Sequence, residues 1–420
     1  MGKLKIGVFG AYRGMYLMEV LALHPDASLV AVCDKYRPAL EKTQKMADEK
    51  GLKVALYESF DDFIEHDMDA VVLANYANEH APFAIRLLKS GRHVLSEVLP
   101  CETMSQAVEL IEAVETSGKV YAYGENYCYM RSPFEMRRRY ESGEIGEVQY
   151  AEGEYIHDGS SIAPAITYGD RNHWRNRVFS TFYCTHSLGP ILTVTGRRPV
   201  QVIGFETNPN MQGRLPKQFL GPCNAGLELV TLDNGAIARS LHGGLKREPW
   251  SVYYEVYGTK GMMESNRWDL MHMSSYIEGD KVCQGDLKHY PPEPFIAPEL
   301  AKAITGHAGS DLYPTHFFIE KILGRPDGIK YSIDVYQGVD MGICGLLAYR
   351  SVLNGNAPIK VPNLRNKEER DAYRNDHACT NPEIAGDQLL PVSPHYDIDA
   401  IPDEAFESVR NLWLEGKGAE

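Results

Sequence analysis

The sequence predicts two successive domains, an α/β domain on a parallel sheet and an α+β domain on a mainly antiparallel sheet with helices on one face. In the first 123 residues, short apolar runs alternate with segments whose apolar residues recur at helical spacing. After about residue 145, strand-like segments follow one another across turns. Parallel strands need crossover helices, so the change of pattern indicates a change of sheet type. We expect domains at 1–123 and 124–360, and a C-terminal extension at 361–420.

The first domain is predicted to alternate buried strands with helices. Gly91 and Gly118 follow two of these helices, where glycine permits the left-handed backbone that ends a helix. The predicted strands are 5–9, 29–33, 70–74, 93–96 and 120–123, and the predicted helices are 15–23, 38–50, 79–90 and 103–117.

The second domain is predicted to be richer in hairpins. Asp233-Asn234-Gly235 separates two strands, and Asn-Gly tolerates the positive φ of a two-residue hairpin turn. The tail after residue 361 is polar, and we expect it to wrap the surface or a partner subunit. The predicted strands are 148–155, 200–205, 226–232, 236–241 and 251–257, and the predicted helices are 187–195, 311–323 and 333–353.

The composition narrows the class of protein. The 420 residues carry 43 lysines and arginines against 57 aspartates and glutamates, a net charge of −14 that disfavours nucleic-acid and anionic-membrane partners. No apolar run has the length of a membrane span, and the first residues enter a strand without the pattern of a secretion signal. The eight cysteines are scattered without a CxxC pair, which favours reduced thiols in the cytoplasm.

A glycine turn after the first strand indicates a dinucleotide site. Gly10 and Gly14 allow the backbone to approach a pyrophosphate at a helix N-terminus, although Tyr12 and Met15 replace two glycines of the Rossmann pattern. Asp34 ends the second strand, where a carboxylate accepts hydrogen bonds from a ribose diol and favours NAD over NADP. A glycine turn with a solvated aspartate in another doubly wound domain is the alternative.

Three longer segments then resemble a known family. Residues 70–80 (AVVLANYANEH), 91–97 (GRHVLSE) and 142–147 (SGEIGE) resemble the glucose–fructose oxidoreductase/inositol dehydrogenase (Gfo/Idh/MocA) family, and the resemblance covers residues 3–360. It implies an NAD-binding Rossmann domain, an antiparallel sheet domain and an active site between them. It also implies the dimers or tetramers common in the family, so we expect a homo-oligomer.

Two departures separate the chain from the dehydrogenases of that family. Many members continue Glu-Lys-Pro where this sequence has Glu97-Val98-Leu99-Pro100, so the lysine that handles the substrate hydroxyl proton is missing. Phe182 also replaces the usual aspartate four residues before His186.

A narrower resemblance accounts for these departures. Five short motifs look like the NAD-dependent glycosidase branch of the family, whose members include bacterial α-N-acetylgalactosaminidases. Cys184 and Trp250 depart from that branch near the expected substrate pocket, so the resemblance does not fix the sugar. The motifs are Glu97-Val98, Glu125-Asn126-Tyr127-Cys128-Tyr129, Gly153-Glu154-Tyr155-Ile156-His157-Asp158, Trp174-Arg175 and Tyr183-Cys184-Thr185-His186-Ser187-Leu188-Gly189-Pro190.

The branch resemblance implies a glycoside cleavage that is redox-neutral overall. Hydride passes from C3 of the sugar to NAD, and the resulting ketone acidifies the C2 proton. A base removes that proton, the C1–O bond breaks by elimination, water adds and the hydride returns. An NAD-dependent sugar or polyol dehydrogenase that forms net NADH is the alternative, and a non-catalytic dinucleotide-binding regulator is a third.

Four residues are candidates for proton transfer. We predict Tyr155 as the C2 base and His186 as the group that serves the C3 hydroxyl, with His157 and Tyr183 in support. Tyr155 and His157 are two apart on a strand and share one face, and His186 begins a helix whose positive end favours a neutral imidazole. A packed sheet aromatic and a helix-capping histidine are the structural alternatives.

The other predicted contacts divide into substrate and cofactor groups. Arg175 is a candidate clamp for the substrate, and a surface ion pair is its structural alternative. Trp250 is a candidate stacking platform for a pyranose, and a core aromatic is its alternative. Thr185 and Glu125 complete the substrate group. We predict no metal, because His157, His173, Cys184 and His186 lack the spacing of zinc motifs. Residues 307–311 could line the pocket or cap the following helix. The predicted cofactor residues are Gly10, Tyr12, Arg13, Gly14, Asp34, Asn75, Ala77, Asn78, His80, Glu97, Val98 and Asn126.

Overall fold

A computed structural model of the chain describes residues 2–209, 225–247, 249–279, 288–292, 300 and 306–416. The chain divides into two units, Met1–Glu135 with Pro292–Val339, and Met136–Pro291 with Asp340–Glu420. Each unit is therefore built from two separate stretches of sequence. The predicted fold class is confirmed, because the first unit contains a parallel sheet and the second a mainly antiparallel one.

The ten predicted strands are all present among the described residues, and five further strands were not predicted. The described residues form β1 (Leu4–Phe9), β2 (Ala27–Cys33), β3 (Ala55–Tyr57), β4 (Ala70–Leu73), β5 (His93–Ser96), β6 (Tyr121–Tyr123), β7 (Val148–Ile156), β8 (Pro199–Glu206), β9 (Ala225–Leu232), β10 (Ile237–Gly243), β11 (Ser251–Gly258), β12 (Gly261–Ser265), β13 (Met273–Ile277), β14 (Lys288–Tyr290) and β15 (Ile359–Lys360).

The α-helices of the described residues are α1 (Ala11–Leu23), α2 (Arg37–Glu49), α3 (Phe60–Ile64), α4 (His80–Lys89), α5 (Met104–Ser117), α6 (Arg131–Glu141), α7 (Ala163–Thr167), α8 (Thr185–Thr195), α9 (Leu312–Ile322), α10 (Pro326–Tyr331), α11 (Val335–Leu353), α12 (Lys367–Asp371), α13 (Pro382–Ala385) and α14 (Asp403–Leu414).

The sheet of the first unit has the order β3-β2-β1-β4-β5-β6, and every pairing is parallel. The order reverses direction beside β1, so the loops after β1 and β4 open at the carboxyl edge, where ligands bind in doubly wound folds. Strand β3 was not predicted, because it has three half-buried residues at the sheet edge and no apolar run marks it.

The sheet of the second unit has the order β14-β13-β12-β11-β7-β10-β9-β8-β15. Its pairings are antiparallel except between β7 and β10, which run parallel. The predicted hairpin is confirmed, since β9 and β10 pair across Asp233-Asn234-Gly235 with Gly235 at φ 87°. Helix α8 packs against β7 so closely that a Cβ at Gly153 would overlap the carbonyl oxygen of Ser187.

The C-terminal extension folds against the second unit. Helix α14 and the turns before it form a small apolar cluster in which Phe406 and Ile401 are buried. No helix in the described part of the chain combines the length and hydropathy of a membrane span.

Candidate active site

Predicted catalytic side chains converge at the end of β7 in the second unit. The Tyr155 hydroxyl lies 3.0 Å from Nδ1 of His157. The Tyr155 ring meets the His186 ring edge to face, with centroids 4.8 Å apart, and His186 stacks on Tyr183 at 6.0 Å. The four predicted proton-transfer residues therefore form one continuous group of rings.

Close packing of helix α8 on strand β7 fixes the positions of Tyr155 and His186. Tyr155 is the penultimate residue of β7, and His186 is the second residue of α8. Gly153 lets the helix approach the strand, and the Tyr254 hydroxyl donates to the backbone oxygen of His186 at 2.7 Å. A side chain on the neighbouring strand β11 thus holds the first turn of α8, and with it the His186 ring.

Arg175 extends the group on the side of Tyr183. Its guanidinium carbon lies 5.5 Å from the Tyr183 ring centroid and 4.8 Å from that of Trp174. Residues Trp174–Arg177 form a single 3₁₀ turn, in which the Arg175 backbone N–H donates to Nδ1 of His173 at 3.3 Å. Arg175 is half-buried and turned onto two aromatic faces.

The remaining substrate candidates have different surroundings. Thr185 begins α8 and is fully buried, and Trp250 is half-buried immediately before β11. Glu125 belongs to the first unit, where its buried carboxylate accepts a hydrogen bond from the Tyr127 backbone N–H at 3.3 Å.

In the first unit, the glycine turn is held by Asp34. Gly10 has φ 99°, a left-handed backbone conformation that favours glycine. No described side chain caps the helix that follows. The Asp34 carboxylate accepts from the N–H groups of Ala11 at 2.7 Å and Tyr36 at 2.8 Å. Gly14 is buried, and the Tyr12 side chain is exposed. Asp34 therefore fixes the backbone around a helix N-terminus suited to a pyrophosphate.

Polar atoms without partners follow β4 at the same sheet edge. The Oδ1 atoms of Asn75 and Asn78 and Nε2 of His80 are buried and have no hydrogen-bond partner among the described residues. Nδ1 of His80 donates to the Leu99 carbonyl at 3.2 Å, and burial lowers the pKa of His80 to about 4. Ala77 begins the 3₁₀ turn between these residues. A ligand with hydroxyl and amide groups would satisfy the three atoms, so the residues fit a dinucleotide.

Asp311 joins several of the predicted cofactor residues. Its fully buried carboxylate receives two bonds from Arg13, at 2.8 and 2.9 Å, and one from the Asn126 side chain at 2.7 Å. Nδ1 of His307 lies 3.0 Å away, and Arg13 also pairs with Glu97 at 2.6 Å. The sequence indicated only that residues 307–311 could line the pocket or cap the following helix, and it did not predict this role of Asp311.

Burial and the charges within this group shift the pKa values of its carboxylates. Burial alone would raise the pKa of Asp311, but hydrogen bonds from His307 and Arg13 hold it well below the usual range. Burial raises the pKa of Glu97 against the opposing charge of Arg13. Arg13 therefore has one firmly ionised partner and one whose ionisation is disfavoured.

One group in the first unit has the composition of a metal site. His24, His316 and Glu320 have possible ligand atoms within 4.8 Å of one another. The Asp26 N–H donates to Nδ1 of His24, so a neutral His24 ring carries its proton on Nε2 and donates it to His316 across 3.1 Å. Arg325 pairs with Glu320. A hydrogen-bonded chain thus accounts for the group.

A comparison with protein families matches most of the first stretch of the first unit. Residues 4–125 match the model described as "Oxidoreductase family, NAD-binding Rossmann fold", the Gfo/Idh/MocA model. These residues are similar to the NAD-binding domain of that family. The match confirms the predicted family and the predicted cofactor, NAD.

Curated relatives extend over most of the chain. It is 25% identical to glycosyl hydrolase family 109 protein 1 of Phocaeicola vulgatus, across 89% of this chain and 87% of the relative. It is also 25% identical to a glycosyl hydrolase family 109 protein of Solibacter usitatus, across 86% and 88%. These matches confirm the resemblance to the glycosidase branch.

Solved structures share the fold. Levoglucosan dehydrogenase in complex with NADH and L-sorbose superposes with a TM-score of 0.69 at 16% identity, covering 86% of this chain and all of that one. An NAD-binding oxidoreductase from Klebsiella pneumoniae gives 0.67 at 16% identity with the same coverage.

Proposed function

We propose that this protein is an NAD-dependent glycoside hydrolase that works by transient oxidation at C3 of the sugar, elimination across C1 and C2, and addition of water. The observation that carries the proposal is the position of Tyr155, whose hydroxyl adjoins His157 while its ring packs on His186. Similarity to the glycosyl hydrolase family 109 proteins over most of both chains supports hydrolysis of a glycoside.

The first unit supplies the residues proposed to hold the cofactor. Arg13 offers a positive charge, Asp34 a carboxylate for ribose hydroxyls, and the loop Asn75–His80 buried polar atoms without partners. Glu97, Val98 and Asn126 are the proposed contacts of the nicotinamide end. When bound, NAD would accept the hydride from C3 and return it at the end of the reaction.

The second unit supplies the residues proposed to move protons. His186 would take the proton of the C3 hydroxyl, and Tyr155 would remove the proton from C2 once C3 is a ketone. The Tyr155 hydroxyl can donate to Nδ1 of His157 when that nitrogen is unprotonated, which draws the phenol towards phenolate. Tyr183 supports the His186 ring, and Arg175, Thr185, Trp250 and Glu125 are the proposed substrate contacts.

Turnover in heavy water tests this mechanism. The purified protein is incubated with a panel of aryl glycosides, with and without NAD, while aglycone release and NADH absorbance are recorded. We expect aglycone release that requires NAD, no net NADH, and one deuterium at C2 of the released sugar. Deuterium enters C2 only if that proton is removed and replaced, so its absence from a cleaved product would contradict the elimination.

The Tyr155→Phe variant assigns the base. We expect it to lose cleavage by about a hundredfold or more while retaining NADH binding. Tyr253→Phe is the matched control, because its hydroxyl bonds to Glu264 at 3.0 Å and it neighbours Glu154 in the same sheet. Net NADH from a free sugar, with no glycoside cleaved, would instead establish a sugar or polyol dehydrogenase.

We also propose that the protein is a cytoplasmic homo-oligomer. The six cysteines within the described residues are buried and form no disulfide with one another, which supports a reducing compartment; Cys223 and Cys283 lie outside those residues. Light scattering after gel filtration would measure the number of subunits, and a monomer at all concentrations would contradict the oligomer.

A further inference from the structure

The segment between β7 and α8 carries Trp174 and Arg175, and it is tied to the C-terminal extension. Arg171 donates to the backbone oxygens of Ile401 at 2.7 Å and Asp399 at 3.0 Å. Its guanidinium carbon also lies 4.9 Å from the ring centroid of the buried Phe406. One side chain thus bonds two backbone oxygens of the 3₁₀ turn Ile398–Ala400 and its C-cap, Ile401.

Further contacts join the same two stretches of chain. A Cβ at Gly169 would overlap the backbone oxygen of Phe406, so this residue lies directly against α14. The Tyr168 ring meets Trp413 edge to face at 5.3 Å, and the Thr380 hydroxyl donates to the Arg177 backbone oxygen. The extension therefore contacts the segment before, at and after Arg171.

The anchored part of the segment leads directly to Arg175. The buried Asn176 side chain donates to the backbone oxygens of Asp170 at 2.8 Å and Arg171 at 3.2 Å. These bonds close a loop of seven residues whose last turn holds Arg175 over Tyr183. A displacement of Arg171 would therefore reach the Arg175 guanidinium.

The hydrogen bonds from Arg171 to backbone oxygens, and not its ion pair, hold this side chain in place on the extension. Arg171 also lies 3.0 Å from a carboxylate oxygen of Asp403, but the Asp403 side chain is 82% exposed. Exposed pairs of this kind contribute little to stability. A guanidinium can bond two carbonyl oxygens in fixed directions while stacking on an aromatic ring, and a lysine cannot.

We infer that Arg171 is a positioning residue: together with the C-terminal extension it holds Arg175 on Tyr183, beside the proposed catalytic rings. The extension is then a part of the substrate site, although it contributes no side chain to the ring group. This inference rests on the proposed function for the role of Arg175 and on the contacts alone for the anchoring.

Three variants test the inference in the full-length protein. Arg171→Ala removes the anchor, and Arg171→Lys keeps the charge with fewer directed bonds. Arg365→Ala is the matched control, because Arg365 ties the same extension to Asp340 at 2.6 Å and Arg198 remains beside that carboxylate. The measurements are hydrogen exchange by mass spectrometry, NADH binding, and steady-state kinetics with the aryl glycoside that is cleaved.

We expect Arg171→Ala to raise KM about tenfold with kcat within about twofold, because Arg175 is displaced but the proton-transfer rings are not. The KM of Arg171→Lys should lie between that of Arg171→Ala and that of the unmodified protein. The affinity for NADH should not change in either variant. Amides of residues 171–178 should exchange about tenfold faster in Arg171→Ala. Arg365→Ala should lower the unfolding temperature without changing KM or this exchange.

Two results would overturn the inference: an equal rise of KM in Arg171→Ala and Arg365→Ala, or unchanged exchange of residues 171–178 in Arg171→Ala. If no glycoside is cleaved, the proposed function fails separately. Exchange then decides the anchoring alone, because only Arg171→Ala should accelerate the exchange of residues 171–178.

Discussion

The guanidinium of Arg13 and the carboxylate of Asp311 form a two-point ion pair, although 298 residues separate them in the sequence. Arg13 lies in the glycine turn after β1, and Asp311 directly precedes α9. Because Asp311 also accepts from Asn126, the second stretch of the first unit sets the positions of two proposed cofactor contacts.

Asp311→Asn should weaken NADH binding about tenfold, because the amide replaces a charged acceptor for two Arg13 bonds. Fluorescence titration of NADH measures the affinity. Asp26→Asn is the control: it removes an ion pair with Arg325 in the same unit, outside the cofactor residues. Equal affinities in the two variants would show that Asp311 has no part in cofactor binding.

Gly153→Ala should disrupt the ring group through the backbone. Its new Cβ would overlap the Ser187 carbonyl, so strand β7 and helix α8 must move apart. We expect a loss of about 3 kcal/mol in the free energy of unfolding, measured by denaturant titration, and loss of glycoside cleavage. Gly159→Ala, where a Cβ meets no atom within 4 Å, should change neither, and a stable, active Gly153→Ala protein would refute this packing argument.

Gly10→Ala should destabilise the first unit. The residue has φ 99°, and a Cβ would overlap the carbonyl of Ala74, which directly follows β4. We expect a cost of about 3 kcal/mol in the free energy of unfolding, from backbone strain and steric overlap together. Gly118→Ala, with φ 62° and open space around it, should cost about 1 kcal/mol. Similar costs at both positions would contradict the overlap.

Stability should fall in mild acid because of His24. Burial and the neighbouring His316 lower the pKa of His24 to about 4, from an ordinary histidine value of 6.5. Between these pH values the unfolded chain binds the extra proton, so stability is present above about pH 6.5 and is lost as pH falls through about 4. The loss is about 3 kcal/mol.

His24→Gln should flatten this part of the pH profile of unfolding, measured by denaturant titration at pH 7, 6, 5 and 4. His395→Gln, at an exposed histidine, is the control and should retain the full slope. An unchanged slope in His24→Gln would assign the acid loss to other groups.

The sequence predicted the elements better than their tertiary partners. Apolar periodicity located most strands within one or two residues, because burial on a sheet face leaves a direct pattern. The ring group was predictable because Tyr155 and His157 share a strand face and the motif at Tyr183–His186 resembles a known branch. Asp311 was missed as the partner of Arg13, since nothing local to either residue records a contact across 298 positions.

Arg171 was missed for a related reason. Its partners are backbone oxygens, which every residue possesses, so no residue type in the extension marks the contact. The extension itself was predicted as a polar tail, and its small buried cluster at 392–406 was not, because five apolar residues among many polar ones give weak periodicity.

The division of the first unit into two stretches has a consequence for biosynthesis. Phe318 and Ile319 of α9 belong to the same buried cluster as β1, β2 and β4. A ribosome must therefore add most of the second unit before the first can close its core. During that interval the nascent nucleotide-binding domain exposes apolar surface. We expect a ribosome-associated chaperone to bind arrested chains that end before residue 310 more strongly than chains that end after residue 380, in which α9 has left the ribosomal tunnel.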